Sequence, residues 1–132
     1  MNRETTYGIG ELARDFDVTT RTIRFYEEAG LLNPSRDGQQ RVYTDADRVK
    51  LKLILRGKRL GYSLDEIAEM IGMGNFDTDE EQQLKKAYSY GRRKLKEIES
   101  RMEELEILKQ DLLRVQEKIL NRLKQLNLKP PR

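Results

Sequence analysis

From Glu80 to Leu126 the chain has no proline and a single glycine, Gly91, and no other feature constrains the fold as much. Apolar residues recur through this run at Leu95, Ile98, Met102, Leu105, Leu108, Leu112, Val115, Ile119, Leu123 and Leu126. Spacings of three and four residues keep them on one side of a helix, as a heptad-like stripe with two irregular steps. A helix of this span is about 65–70 Å long at about 1.5 Å per residue. It cannot bury such a stripe within a small globule. The same helix from a second chain is the natural cover, which makes the stripe from Leu95 to Ile119 the candidate dimerisation surface.

Composition agrees with an elongated element. Of 132 residues, 36% are hydrophobic and 37% are charged, so a single globule would be poorly filled while a helix with solvated faces accommodates the charge. Cysteine and histidine are both absent, which excludes disulfides and thiolate or imidazole metal sites. The usual general base and the most reactive nucleophile are missing too. With no glycine-rich phosphate loop either, neither enzyme chemistry nor a cofactor is expected. No apolar run reaches the roughly 18–20 residues of a membrane span, and no charged-then-apolar leader is present. A cytoplasmic protein with no membrane partner is the expectation.

The first half reads as short elements. Residues 8–16 carry Ile9, Leu12, Ala13 and Phe16 at helical spacing. Asp17-Val18 reads as a tight turn, and Thr19 or Thr20 can cap a second helix that stops at Gly30. Two short helices joined this way make a helix-turn-helix candidate. Residues 33–43 contain Pro34 and Asp37-Gly38 before Val42-Tyr43, a small-hairpin pattern. Thr44 caps a third helix whose apolar side is assigned to Val49, Leu53, Leu60 and their neighbours, with Gly57 as its weak point. Ser63-Leu-Asp-Glu66 matches a capping box and opens a fourth helix with a stripe of Leu64, Ile67, Ala68 and Ile71. The expected organisation is a mostly α chain. A winged helix-turn-helix domain spans 1–74, a linker 75–82, a long dimerisation helix 83–127 and a disordered tail 128–132.

The formal net charge is +3. Residues 1–62 hold 12 Lys/Arg against 9 Asp/Glu, and residues 63–132 hold 14 of each, so the excess positive charge lies in the first half. Duplex DNA requires cations for its phosphates and a helix that fits the major groove. On the second helix Ile23 is the natural inward residue, while Thr20, Arg21 and Arg24 fall on or near the opposite side. Thr20 and Arg21 sit at the helix N-terminus, which commonly reaches base edges in this motif. Arg24 and Tyr26 can donate to phosphates. The hairpin adds Arg36, Arg41 and Tyr43, and the end of the third helix adds Arg56, Lys58 and Arg59 near Tyr62. Each patch taken singly also fits an ordinary solvated surface. Their order is what favours a DNA-binding reading over a coiled-coil adaptor that binds another protein.

Tyr7-Gly-Ile-Gly-Glu-Leu-Ala13, Val18-Thr-Thr-Arg-Thr-Ile-Arg-Phe-Tyr-Glu-Glu-Ala-Gly-Leu-Leu32, Arg41-Val-Tyr43 and Arg59-Leu-Gly-Tyr-Ser-Leu-Asp-Glu-Ile67 together resemble the MerR family of regulators. The resemblance covers roughly residues 6–72. It implies that 19–29 is a recognition helix with Arg21, Arg24 and Tyr26 at DNA-contacting positions. It also implies a first wing with Arg41 and Tyr43 at the backbone, and a second wing with Arg56, Arg59 and Tyr62. It further implies an antiparallel coiled-coil homodimer that distorts double-stranded promoter DNA for RNA polymerase. Where many members have Gly-Tyr-Arg in the wing, this chain has Gln39-Gln40-Arg41.

The family's metal sensors carry cysteines near the end of the long helix, and this chain has none. Its multidrug sensors carry a large C-terminal ligand domain, which is not expected here. Leu51 to Leu64 looks most like the short regulators of branched-chain amino-acid and fatty-acid degradation. That likeness implies an acyl-CoA-like small-molecule effector, with Tyr88, Tyr90, Arg92 and Arg93 as residues to watch. Asp77, Asp79, Glu80 and Glu81 could hold a hard cation, but they also suit an acidic helix start.

Overall fold

In the computed structural model, residues 5–72 and 81–132 are described. Eight elements follow one another: β1 Thr6–Tyr7, α1 Ile9–Asp15, α2 Thr20–Glu28, β2 Ser35–Asp37, β3 Gln40–Thr44, α3 Asp45–Arg59, α4 Leu64–Gly72 and α5 Glu81–Gln125. The chain divides into two units, Met1–Ala87 and Tyr88–Arg132. The linker expected over 75–82 lies outside the described residues, except Glu81 and Gln82, which are already helical.

Local chemistry sets the helix starts. Thr19 Oγ1 accepts from the Thr22 N–H at 3.1 Å. Thr44 Oγ1 accepts from Asp47 N–H at 3.2 Å while Asp47 Oδ2 accepts from Thr44 N–H at 2.9 Å. The Thr44 hydroxyl also donates to Asp47 Oδ2 at 3.2 Å, so the buried Asp47 side chain has its partners. Ser63 and Glu66 form the same reciprocal box at α4, as the spacing predicts.

Four helix ends share one device. After α1, Val18 N–H reaches Ala13 O at 3.0 Å across Asp17, whose φ is 54°. After α2, Leu31 N–H reaches Tyr26 O at 2.9 Å across Gly30, and after α3, Tyr62 N–H reaches Gly57 O at 3.0 Å across Gly61. After α5, Leu128 N–H reaches Leu123 O at 2.8 Å across Asn127. Each is a six-residue closure around a residue of positive φ.

The three strands are ordered β1-β3-β2, all antiparallel, and β1 is an addition to the expected hairpin. Asp37 pairs with Gln40, so the turn itself is Gly38-Gln39, one residue later than the Asp37-Gly38 reading. The core collects Leu12, Ala13, Ile23, Tyr26, Leu31, Leu32, Tyr43, Leu51, Ile54 and Ile67. A fully buried side chain of this kind stabilises by about 1.5–3 kcal/mol.

The buried side of α3 corrects the sequence reading. Leu51, Ile54 and Gly57 face the core, whereas Val49, Leu53 and Leu60 are 56%, 44% and 66% exposed. At about 100° per residue the two sets form neighbouring stripes centred about 120° apart around the helix. Both are apolar, so periodicity alone does not choose between them. Ala68 of α4 is likewise exposed rather than buried. Gly57, read as a weak point, is where α3 meets α4: a Cβ there would lie 2.8 Å from Ile67 Cγ1. The absent side chain is a condition of that packing.

The α5 helix is continuous over 45 residues. Leu95, Met102, Leu105, Leu108, Leu112, Val115 and Ile119 are each at least half exposed, and Ile98 is half-buried. No helix among the described residues is long and apolar enough to cross a membrane. No group of three or more acidic, His or Cys side chains among them can hold a metal ion. Asp77, Asp79 and Glu80 lie outside the described residues.

Candidate nucleic-acid interface

Ile23 and Tyr26 fix α2 by one face, since both are buried in the core. The other face presents Arg21, Arg24 and the half-exposed ring of Phe25, with Thr20 partly covered at the helix start. The Thr19 cap leaves the first turn of α2 formed and aligned before any ligand arrives. Arg21 and Arg24 meet no carboxylate among the described residues, so both guanidinium groups are available. This is the geometry a recognition helix needs: an anchored back and free cationic donors in front.

The hairpin behaves differently. Arg41 Nε donates to Glu27 Oε2 at 2.7 Å, Arg36 donates to Glu27 Oε1 at 3.4 Å, and the Tyr43 hydroxyl donates to Glu27 Oε2 at 3.5 Å. Glu27 is the penultimate residue of α2, so this carboxylate fastens the wing to the C-terminal end of that helix. Sequence reasoning missed Glu27. A signal for it exists in the register: Arg36 pairs directly with Arg41. Like charges opposite one another destabilise a ribbon, so such a pair requires a nearby anion.

Two tyrosines among the expected contacts have their rings set in the core. Tyr43, expected at the DNA backbone, is fully buried, and its hydroxyl is turned onto Glu27. Burial, reinforced by the Glu27 charge, pushes its pKa up to about 12. Tyr26, expected as a phosphate donor, is 6% exposed and packs edge-on against Phe25. Burial raises its pKa as well. An aromatic ring with a polar tip suits either place, and the core takes both because each sits on the inward face of its element.

At the end of α3, Arg56, Lys58 and Arg59 are exposed, and Arg59 Nε also donates to Leu55 O at 3.4 Å. Tyr62 is half-buried against the core, and its N–H closes the helix. Cations in a last turn suit the helix dipole, so these residues serve the fold as well as any ligand. Arg48 is another arginine that the fold uses. Its guanidinium lies 5.0 Å from the Phe16 ring centre and 5.9 Å from that of Tyr7. The Tyr7 hydroxyl in turn donates to Asp45 at 2.7 Å. Thus α2 and the α3 end keep free cations, while Arg36, Arg41 and Arg48 are held by protein groups.

Comparison with known proteins agrees with this geometry. Residues 7–73 match the model of the MerR helix-turn-helix family of regulatory proteins, and residues 48–115 match the MerR DNA-binding model. The regulator ZntR of Escherichia coli is 33% identical over 111 residues, covering 83% of this chain and 77% of that protein. The mercuric resistance operon regulatory protein of Shigella flexneri is 38% identical over 99 residues, 74% of this chain and 65% of that one. Among solved structures, HiNmlR, a MerR family regulator lacking the sensor domain and bound to promoter DNA, aligns with a TM-score of 0.73. It is 27% identical, and the alignment covers 94% of this chain and 97% of that one. These relatives are regulators, not enzymes, and the chain belongs to the MerR family of DNA-binding transcriptional regulators.

Proposed function

We propose that two copies of this chain bind promoter DNA, place α2 of each copy in the major groove, and distort the duplex to control its use by RNA polymerase. The observation that carries this reading is Arg21 and Arg24, without a carboxylate partner among the described residues, on the outward face of an α2 whose other face is locked in the core. The alignment with a promoter-bound relative supports it. Thr20 and Arg21 are positioned for base edges, Arg24 for a phosphate, and Arg56 and Arg59 for a second set of phosphates. Arg41 reaches DNA only while it remains held by Glu27. Tyr26 and Tyr43 support the surface from beneath, and Tyr62 supports the second wing.

The α5 surface supports the dimer in this reading. Leu105, Leu108, Leu112, Val115 and Ile119 line an open apolar groove of about 590 Å³ along the helix. Charge favours an antiparallel partner. Residues 97–106 hold five Glu and one Arg, whereas 118–127 hold Lys118, Arg122 and Lys124 and no carboxylate. Two antiparallel copies crossing at Leu112 set the acidic run against the basic one; a parallel pair sets like against like.

An effector is supported only by the likeness of residues 51–64 to short catabolic regulators, which favours an acyl-CoA thioester and genes of branched-chain amino-acid or fatty-acid breakdown. Footprinting on the promoter beside the chain's own gene, with and without acyl-CoA thioesters, tests the whole reading. Protection over the spacer between promoter elements is expected. No footprint, or binding with a flat salt response, would favour the adaptor alternative. Sedimentation decides the dimer independently of DNA.

A further inference from the structure

Residues 82–96 carry six cations, Lys85, Lys86, Arg92, Arg93, Lys94 and Lys96, and no carboxylate. The even charge balance of the second half hides this block, because the Glu-rich run 97–106 directly follows it. Two of the cations have local partners: Lys85 meets Glu81 at 3.0 Å and Lys94 meets Glu97 at 3.5 Å. Arg92, Arg93 and Lys96 have none among the described residues.

These three share one face of α5 with Ser89, at helix offsets of zero, three, four and seven. All four side chains are exposed and line a shallow depression of about 320 Å³. Like charges at such spacings repel, so the isolated helix gains nothing from the arrangement. Two guanidinium groups, an ammonium and a hydroxyl are rich in donors and match the oxygens of phosphate, with guanidinium able to grip two at once. Three positive charges on one face call for an anion of more than one negative charge. The partner helix does not supply it: in the antiparallel arrangement proposed above, on which this step rests, a partner ending at Gln125 stops opposite Glu99.

We infer that the face formed by Ser89, Arg92, Arg93 and Lys96 binds adjacent phosphate groups, separately from the α2 surface. The phosphates belong either to a diphosphate-bearing small molecule or to the DNA backbone beyond the recognition contacts. The full chain carrying Arg92→Gln and Arg93→Gln together distinguishes these sources, with Lys129→Gln and Arg132→Gln, both exposed beyond the end of α5, as a control of equal charge.

Two titrations are read at fixed ionic strength: pyrophosphate binding without DNA, and the salt slope of duplex DNA binding. A small-molecule source predicts that pyrophosphate binds the parent and control, is weakened at least tenfold in the Arg92/Arg93 variant, and leaves the DNA slope unchanged. A backbone source predicts a DNA slope shallower by about two to four units in that variant alone, since the two copies together lose up to four phosphate contacts and each removes about 0.9. Unchanged behaviour in both titrations, with helicity intact by circular dichroism, overturns the inference. So does equal loss in the control pair, which marks general charge rather than a site. Sedimentation of the same samples shows separately whether the dimer reading has failed.

Discussion

Arg41 Nε sits 2.7 Å from Glu27 Oε2, and that contact joins the wing to the end of the recognition helix. Both side chains are largely buried, at 25% and 19% exposure. Glu27→Gln leaves two arginines facing each other across β2 and β3 without their anion. A loss of about 1–3 kcal/mol in stability is expected, as for a charged partner removed from a part-buried network. DNA affinity should fall with it, because the hairpin loses its orientation. A double-mutant cycle with Arg41→Ala measures the link directly. Additive effects of the two substitutions would show that the contact carries no coupling.

Arg24 makes the opposite kind of contribution. It touches no carboxylate among the described residues, so Arg24→Ala should leave the melting temperature nearly unchanged, within about 0.5 kcal/mol. Operator affinity should drop by about 1–3 kcal/mol, read by fluorescence anisotropy on labelled duplex. Unchanged affinity would remove α2 from the interface.

Gly57 tests the α3–α4 contact. Replacing a mid-helix glycine with alanine ordinarily gains up to about 1 kcal/mol. Here the new Cβ would lie 2.8 Å from Ile67 Cγ1 and 3.1 Å from Ile67 Cδ1, and Ile67 is buried. Overpacking of this sort costs about 1–3 kcal/mol, so Gly57→Ala should melt earlier than the parent. A higher melting temperature would mean that α4 yields easily.

Tyr43 gives the fold an alkaline limit. Its pKa is pushed up to about 12 by burial first and by the Glu27 charge second. The fold therefore favours the neutral phenol. That stabilisation is complete below the unfolded value near 10 and is lost as the pH climbs from there towards 12. Denaturant midpoints measured across that window should fall in the parent and fall less in Tyr43→Phe. Some decline should persist in the variant, because Tyr26 is raised in the same direction. Identical profiles for the two proteins would separate Tyr43 from the alkaline transition.

What the sequence made legible was local. The cap at Thr44, the box Ser63–Glu66 and the stop at Gly30 are each written within a few residues, and each forms as read. The long helix was equally plain, since nothing in it breaks. The phase of α3 was not, because Val49-Leu53-Leu60 and Leu51-Ile54 are both apolar and only packing against the rest of the core, including Ile67 and Tyr43, selects one. The site divided in the same manner. Arg21 and Arg24 were visible from the position of Ile23. Which arginines stay free depends on where Glu27 falls relative to the hairpin, a relation between residues 14 positions apart in sequence.

The closures after α1, α2, α3 and α5 also bear on how quickly the chain can organise. Each corner is made by a hydrogen bond between residues five apart, around Asp17, Gly30, Gly61 or Asn127. Contacts of such short sequence separation require little loop entropy and are available early in folding. The direction in which each helix hands over to the next segment is thus set by local dihedral preference before the core has assembled. The meeting of β1 with β3, by contrast, joins Tyr7 to Tyr43 across 36 positions of chain and closes a far larger loop.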